Sequence, residues 1–76
     1  MVYIKTLLDL KVDETGIIID IDSRCKLKQR LMDLGIVEGN DIVCVLDSAN
    51  HNPKAYQIKN AVFALRSSLS QYILIE

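Results

Sequence analysis

Seventy-six residues is about half the usual size of a domain, so residues 1–76 are expected to form one unit. Half of the residues are apolar, but only 5% are aromatic and none is tryptophan, which calls for an aliphatic core of Ile, Leu and Val. Nine basic and ten acidic residues leave a formal charge of −1, so the chain lacks the cationic surplus with which proteins hold nucleic acids or anionic membranes.

Cysteine usage and the N-terminus bear on location. A secreted domain this small usually carries about two to four disulfides. Two cysteines, Cys25 and Cys44, fit a reducing cytosol better. The opening MVYIKTLLDLK has no long apolar stretch after a basic start, unlike a signal peptide. No run approaches the ~20 apolar residues that span a bilayer. A soluble cytoplasmic chain with no membrane insertion is expected.

In chain order, Thr6-Leu-Leu-Asp9 has capping-box spacing and predicts a short helical turn. Lys11–Gly16 reads as a turn into the strand Ile17-Ile-Ile-Asp-Ile21. Alternation assigns Ile17, Ile19 and Ile21 to its buried face and Ile18 and Asp20 to the other. Asp22 and Ser23 are candidate N-caps for a helix over about 23–34, with Leu27, Leu31 and Leu34 as its apolar stripe and Gly35 as its stop. Met32 lies off that stripe. Gly39-Asn40 marks a turn before the strand Asp41–Leu46, where Cys44 alternates with Ile42 and Leu46 as a core residue. Asp47–Pro53 is loop-like, Lys54–Lys59 alternates as a strand, and Asn60-Ala61 makes a tight corner into Val62–Arg66. One helical turn at Ser67–Ser70 and a last strand at Tyr72–Ile75 complete the chain. Five short strands and one inserted helix predict a mainly β fold, a small SH3-like barrel that removes exposed sheet edges.

The candidates for chemistry are sparse. One histidine, His51, in a polar loop and two separated cysteines do not make a nucleophilic triad, so no catalytic group and no enzyme activity is expected. No CxxC or HxxxH spacing occurs, so no metal site and no cofactor is expected. Asp20 with Asp22, or Asp47 with His51, could hold a metal only opportunistically. The conspicuous feature is basic: Arg24, Lys26, Lys28 and Arg30 fall within seven positions. On a helix they form i, i+4 pairs on two adjoining strips that suit an acidic partner.

Leu31-Met-Asp-Leu-Gly-Ile-Val-Glu-Gly39, led by Arg30, resembles the RL…LG(I/L)xPG signature of the FeoA family. Thr6–Leu10 with Gly16 is similar to that family's opening, Asp41–Leu46 to its next strand, Ala64-Leu-Arg66 to its (L/A)LR segment and Ile73-Leu-Ile75 to its closing IxV. Glu38 stands where proline is common, His51-Asn-Pro53 for Gly-Asp-Pro, Asn60 for a frequent glycine, and Val12-Asp13 for Pro-Gly. The resemblance implies an SH3-like accessory protein of bacterial ferrous iron uptake that binds the cytoplasmic part of the FeoB-type membrane GTPase transporter. Arg24, Lys28, Arg30, Leu31, Asn52 and Pro53 are the expected partner-binding residues. Arg24 and Arg30 would engage carboxylates, and Leu31 would position the helix, or touch the partner if partly exposed. The alternatives are an SH3-like module of a metal-dependent transcriptional regulator, or a small metal-binding protein. Weak homo-oligomerisation stays open.

Overall fold

The computed structural model describes residues 5–48 and 53–76. Its elements are β1 (Lys5–Thr6), a 3₁₀ turn (Leu7–Asp9), β2 (Thr15–Ile21), α1 (Lys28–Asp33), β3 (Asp41–Asp47), β4 (Lys54–Ile58), β5 (Ala61–Leu65), α2 (Ser67–Ser70) and β6 (Ile73–Ile75). The capping box at Thr6 forms as expected. The Thr6 hydroxyl accepts from Leu8 N–H at 3.2 Å, and Asp9 reaches back to the Thr6 N–H at 2.9 Å.

All strands pair antiparallel in the order β1-β6-β2-β3-β4-β5. Among the described residues no ladder joins β5 back to β1, so the wrapped sheet stays open there. β2 is the shared strand. Thr15–Ile17 pair with β3, whereas Ile18–Ile21 pair with β6. Between Ile18 and Asp20 the register shifts, and Ile19 is the extra residue of a bulge. That bulge overturns the simple alternation expected for this strand: Gly16, Ile18 and Ile21 are buried, while Ile17 and Ile19 are exposed. A second shift in β3, between Cys44 and Leu46, has the same effect. Cys44 is fully buried as expected, but Leu46 is turned out with 64% exposure.

The helix also differs from its sequence pattern. It begins at Lys28, not near residue 23, and residues 22–27 form successive turns. Only Leu31 of the expected stripe is buried; Leu27 and Leu34 are exposed. Asp22 closes a turn on the Arg24 N–H instead of capping α1. Six residues are too few to bury a long stripe, and the buried Cys25 replaces Leu27 as the anchor of this segment. The helix does end as Gly35 implies. Ile36 N–H bonds the Leu31 carbonyl at 3.1 Å and Gly35 N–H that of Met32 at 3.0 Å, a Schellman motif with Gly35 at φ +102°.

Two non-glycine residues also adopt positive φ. Asp13 sits at φ +73°, a region that Asp tolerates better than most residues. The β4–β5 corner is Lys59-Asn60, with Lys59 rather than Asn60 at positive φ, +54°.

Buried polar side chains from β4 reach across to the 3₁₀ turn. The Lys54 ammonium, only 4% exposed, donates to the carbonyls of Leu8 (3.3 Å) and Leu10 and lies 4.0 Å from the Asp47 carboxylate. The Tyr56 hydroxyl donates to the Leu7 carbonyl at 3.1 Å. Burial pushes the Tyr56 phenol up to about 12, outweighing the lowering effect of Ser70.

Two stability tests follow from this geometry. Gly35→Ala should cost about 1–2 kcal/mol, because a Cβ is strained in the left-handed region; in a domain this size a thermal melt should fall by several degrees. Tyr56→Phe should cost about 1 kcal/mol in urea melts by removing one of the two hydrogen bonds that the buried Leu7 carbonyl accepts, the other coming from Leu10 N–H at 3.2 Å. A phenol raised from 10 to about 12 stabilises fully below pH 10, and that contribution disappears as pH rises through 12. Tyr56→Phe should therefore lack this alkaline loss of stability when the two melts are compared between pH 10 and 12.

Candidate functional site

The basic cluster is the candidate site, and the late start of α1 divides it. Arg24 and Lys26 lie in the turns before the helix, so the expected Arg24/Lys28 and Lys26/Arg30 helical pairs do not form as one face. Arg24 and Lys26 border a groove with Leu27, Ser68, Leu69 and Tyr72. Lys28 borders a different cleft, over Ile18, Ile21 and Ile36, with Asp20, Met32 and Glu38 at its margin. Its ammonium lies 3.9 Å from the Asp20 carboxylate. Arg30 is exposed on α1.

Arg24 is held rather than free. Its Nε and Nη2 donate to the two carboxylate oxygens of Asp22 at 3.1 and 2.8 Å, a bidentate pair. The Arg24 side chain is 77% exposed and that of Asp22 26%, so the pair is worth little in stability but fixes the guanidinium. The guanidinium also lies over the Tyr72 ring, 5.7 Å from its centroid. The Arg24 side-chain hydrogen bond, helped by its backbone N–H, brings the Asp22 carboxyl down from 3.8 to about 2.

The other expected contact residues divide as well. Leu31 is 2% exposed, so it positions α1 against the core and offers no surface to a partner. Pro53 is exposed just before β4, beyond the Asp47 end of β3, whereas α1 leads into the Asp41 end. Those ends are roughly 20 Å apart along a seven-residue strand. Asn52 and His51 lie outside the described residues. Met32 is exposed, as its place off the stripe implied. Tyr72 and Leu69 escaped the sequence reading because nothing local links residues 69–72 to 24–27; the connection is made by Asp22 N–H donating to the Tyr72 carbonyl at 2.7 Å.

Chemistry at the cysteines is disfavoured. Both thiols are free and buried. Burial pushes the Cys44 thiol up, away from the thiolate that a nucleophile or metal ligand requires. Among the described residues no three His, Cys, Asp or Glu side chains gather into a metal-binding group, and no helix is long and apolar enough to cross a membrane.

The FeoA domain model matches residues 5–76. The chain belongs to the FeoA family. A FeoA-like protein from Clostridium acetobutylicum superposes with a TM-score of 0.87 at 26% identity, covering 100% of this chain and 88% of that one. FeoA from Stenotrophomonas maltophilia superposes at 0.84 and 22% identity, covering 95% and 89%. That protein was solved with zinc and is described as a prokaryotic SH3 domain protein and a candidate ferrous iron transport activating factor. Comparison with curated proteins gives no significant match. The open six-stranded sheet is thus the SH3-like fold of this family.

The Asp22–Arg24 clamp makes a pH prediction. A carboxyl lowered from 3.8 to about 2 stabilises the turn above pH 4, and that contribution is lost as pH falls through 2. Carboxyl-carbon NMR should find Asp22 titrating near 2 in the native protein, and Arg24→Ala should return it towards 3.8.

Proposed function

We propose that this chain is a non-enzymatic, cytoplasmic accessory protein of bacterial ferrous iron uptake that binds and modulates the cytoplasmic part of a FeoB-type GTPase transporter. The FeoA family match over residues 5–76 carries this reading. The description of the Stenotrophomonas relative as a candidate ferrous iron transport activating factor supports it. So does the chemistry of the surface: Arg24, Lys26 and Arg30 are exposed on consecutive turns and a short helix, where carboxylates of a partner can reach them. A rigid small fold whose cysteine thiols are buried suits docking better than turnover.

Lys28 and Arg30 approach the partner from α1, Arg24 from the turn before it, and Leu31 holds α1 in place from within the core. Pro53, beyond the Asp47 end of β3, would form a separate contact, and Asn52, its neighbour in sequence, is proposed with it. The triple variant Arg24→Glu, Lys28→Glu, Arg30→Glu should weaken binding to the transporter by at least about tenfold, the effect of losing roughly 1.4 kcal/mol of cross-interface attraction. Co-purification with the tagged transporter and ferrous iron uptake in cells lacking the native chain would measure it. Unchanged binding and unchanged uptake would reject the reading.

A further inference from the structure

Residues 22–27 are held more firmly than a solvated loop requires. Asp22 is tied to Tyr72 through the backbone, Cys25 N–H donates to the Asp22 carbonyl at 3.0 Å, and the Cys25 side chain is buried. On this frame Leu27 occupies the N-cap position of α1. Leucine is among the poorest residues there, and replacing a good cap with an apolar residue costs about 1 kcal/mol. Leu27 makes no side-chain cap bond and stays 41% exposed. It neither caps the helix nor fills the core, and a local rule broken without a structural gain marks a functional position.

Leu27 forms one wall of the groove described above, and half-buried Leu69 and Tyr72 form the other. Among the described residues no carboxylate borders it; Arg24 and Lys26 do. Arg24 spends two N–H donors on Asp22, and a guanidinium has five, so three remain to donate to a second carboxylate without reorientation. Lys26 adds an exposed ammonium. Even with Asp22 counted, the border is cationic, over an apolar and aromatic floor.

We infer that this groove receives an acidic peptide segment carrying one leucine- or phenylalanine-sized side chain, supplied by the cytoplasmic part of the transporter. The apolar side chain packs on Leu27, Leu69 and Tyr72, and flanking carboxylates meet Arg24 and Lys26. Two cations are too few to track a phosphate backbone, while an apolar floor of this size suits a side chain. The inference rests on the transporter-binding reading and adds the surface, Lys26, Leu27, Leu69 and Tyr72, that the helix-centred expectation lacked.

The test is biolayer interferometry of the full chain against the full-length transporter in neutral-lipid nanodiscs, with empty nanodiscs alongside. Amide NMR spectra confirm that each variant is folded. Lys26→Glu and Leu27→Asp should each weaken binding about tenfold or more, while Val62→Asp, an equally drastic change on exposed β5, should not. Wild-type binding that both groove variants retain would overturn the groove and leave the transporter reading standing. Equal binding to empty nanodiscs would overturn it in favour of a lipid surface. No wild-type binding would overturn both.

Discussion

The extra residue in β2, Ile19, is the constraint on which the rest of the molecule turns. Ile17 exchanges backbone hydrogen bonds with Glu76 at 3.1 and 3.0 Å, and its neighbour Ile18 bonds in the opposite direction, to Asn40 and Gly39 at 3.0 and 2.8 Å. One short stretch therefore serves both halves of the sheet. A bulge beside this crossing bends the strand and increases its twist, so that β6 and β3 can wrap the same core. It also puts Ile18 and Ile21 together on the inside, where they floor the cleft under α1.

What the bend brings together is held by polar groups as much as by aliphatic ones. Within the 3₁₀ turn only the Leu7 carbonyl receives a bond from the turn's own backbone, from Leu10 N–H; β4 supplies Lys54 to the carbonyls of Leu8 and Leu10 and adds the Tyr56 hydroxyl at Leu7. A buried lysine is tolerable because carbonyls and the Asp47 carboxylate surround its ammonium. With the 3₁₀ turn tied to β4 in this way, the connection between β2 and β3 is left to carry exposed basic side chains. The basic residues sit there, some on turns pinned to β6 and some on a helix of barely two turns.

This division gives the surface its character. A continuous helix over 23–34 would have presented a single basic ridge. The turns at 22–27 instead send Arg24 and Lys26 towards Tyr72 and leave Lys28 over the cleft beside Asp20. The result is two differently charged depressions on either side of one short helix. The family relationship is what supports the proposal of iron transport, and neither depression holds chemistry that could have named it.

Much was legible in the chain itself. The capping box, the Gly35 stop, the burial of Cys44 and the positions of β2 to β6 along the chain follow from local preferences, which depend on residues a few positions apart. The basic cluster was equally plain from composition along the sequence. Tertiary structure decided the rest. The bulge in β2 separated Ile21, buried, from Ile17 and Ile19, exposed, and the shift in β3 turned Leu46 outward, because a one-residue shift in pairing turns every later side chain over. The start of α1 was set by a bond from Asp22 to Tyr72, fifty positions along, and no pattern within residues 22–34 contains it.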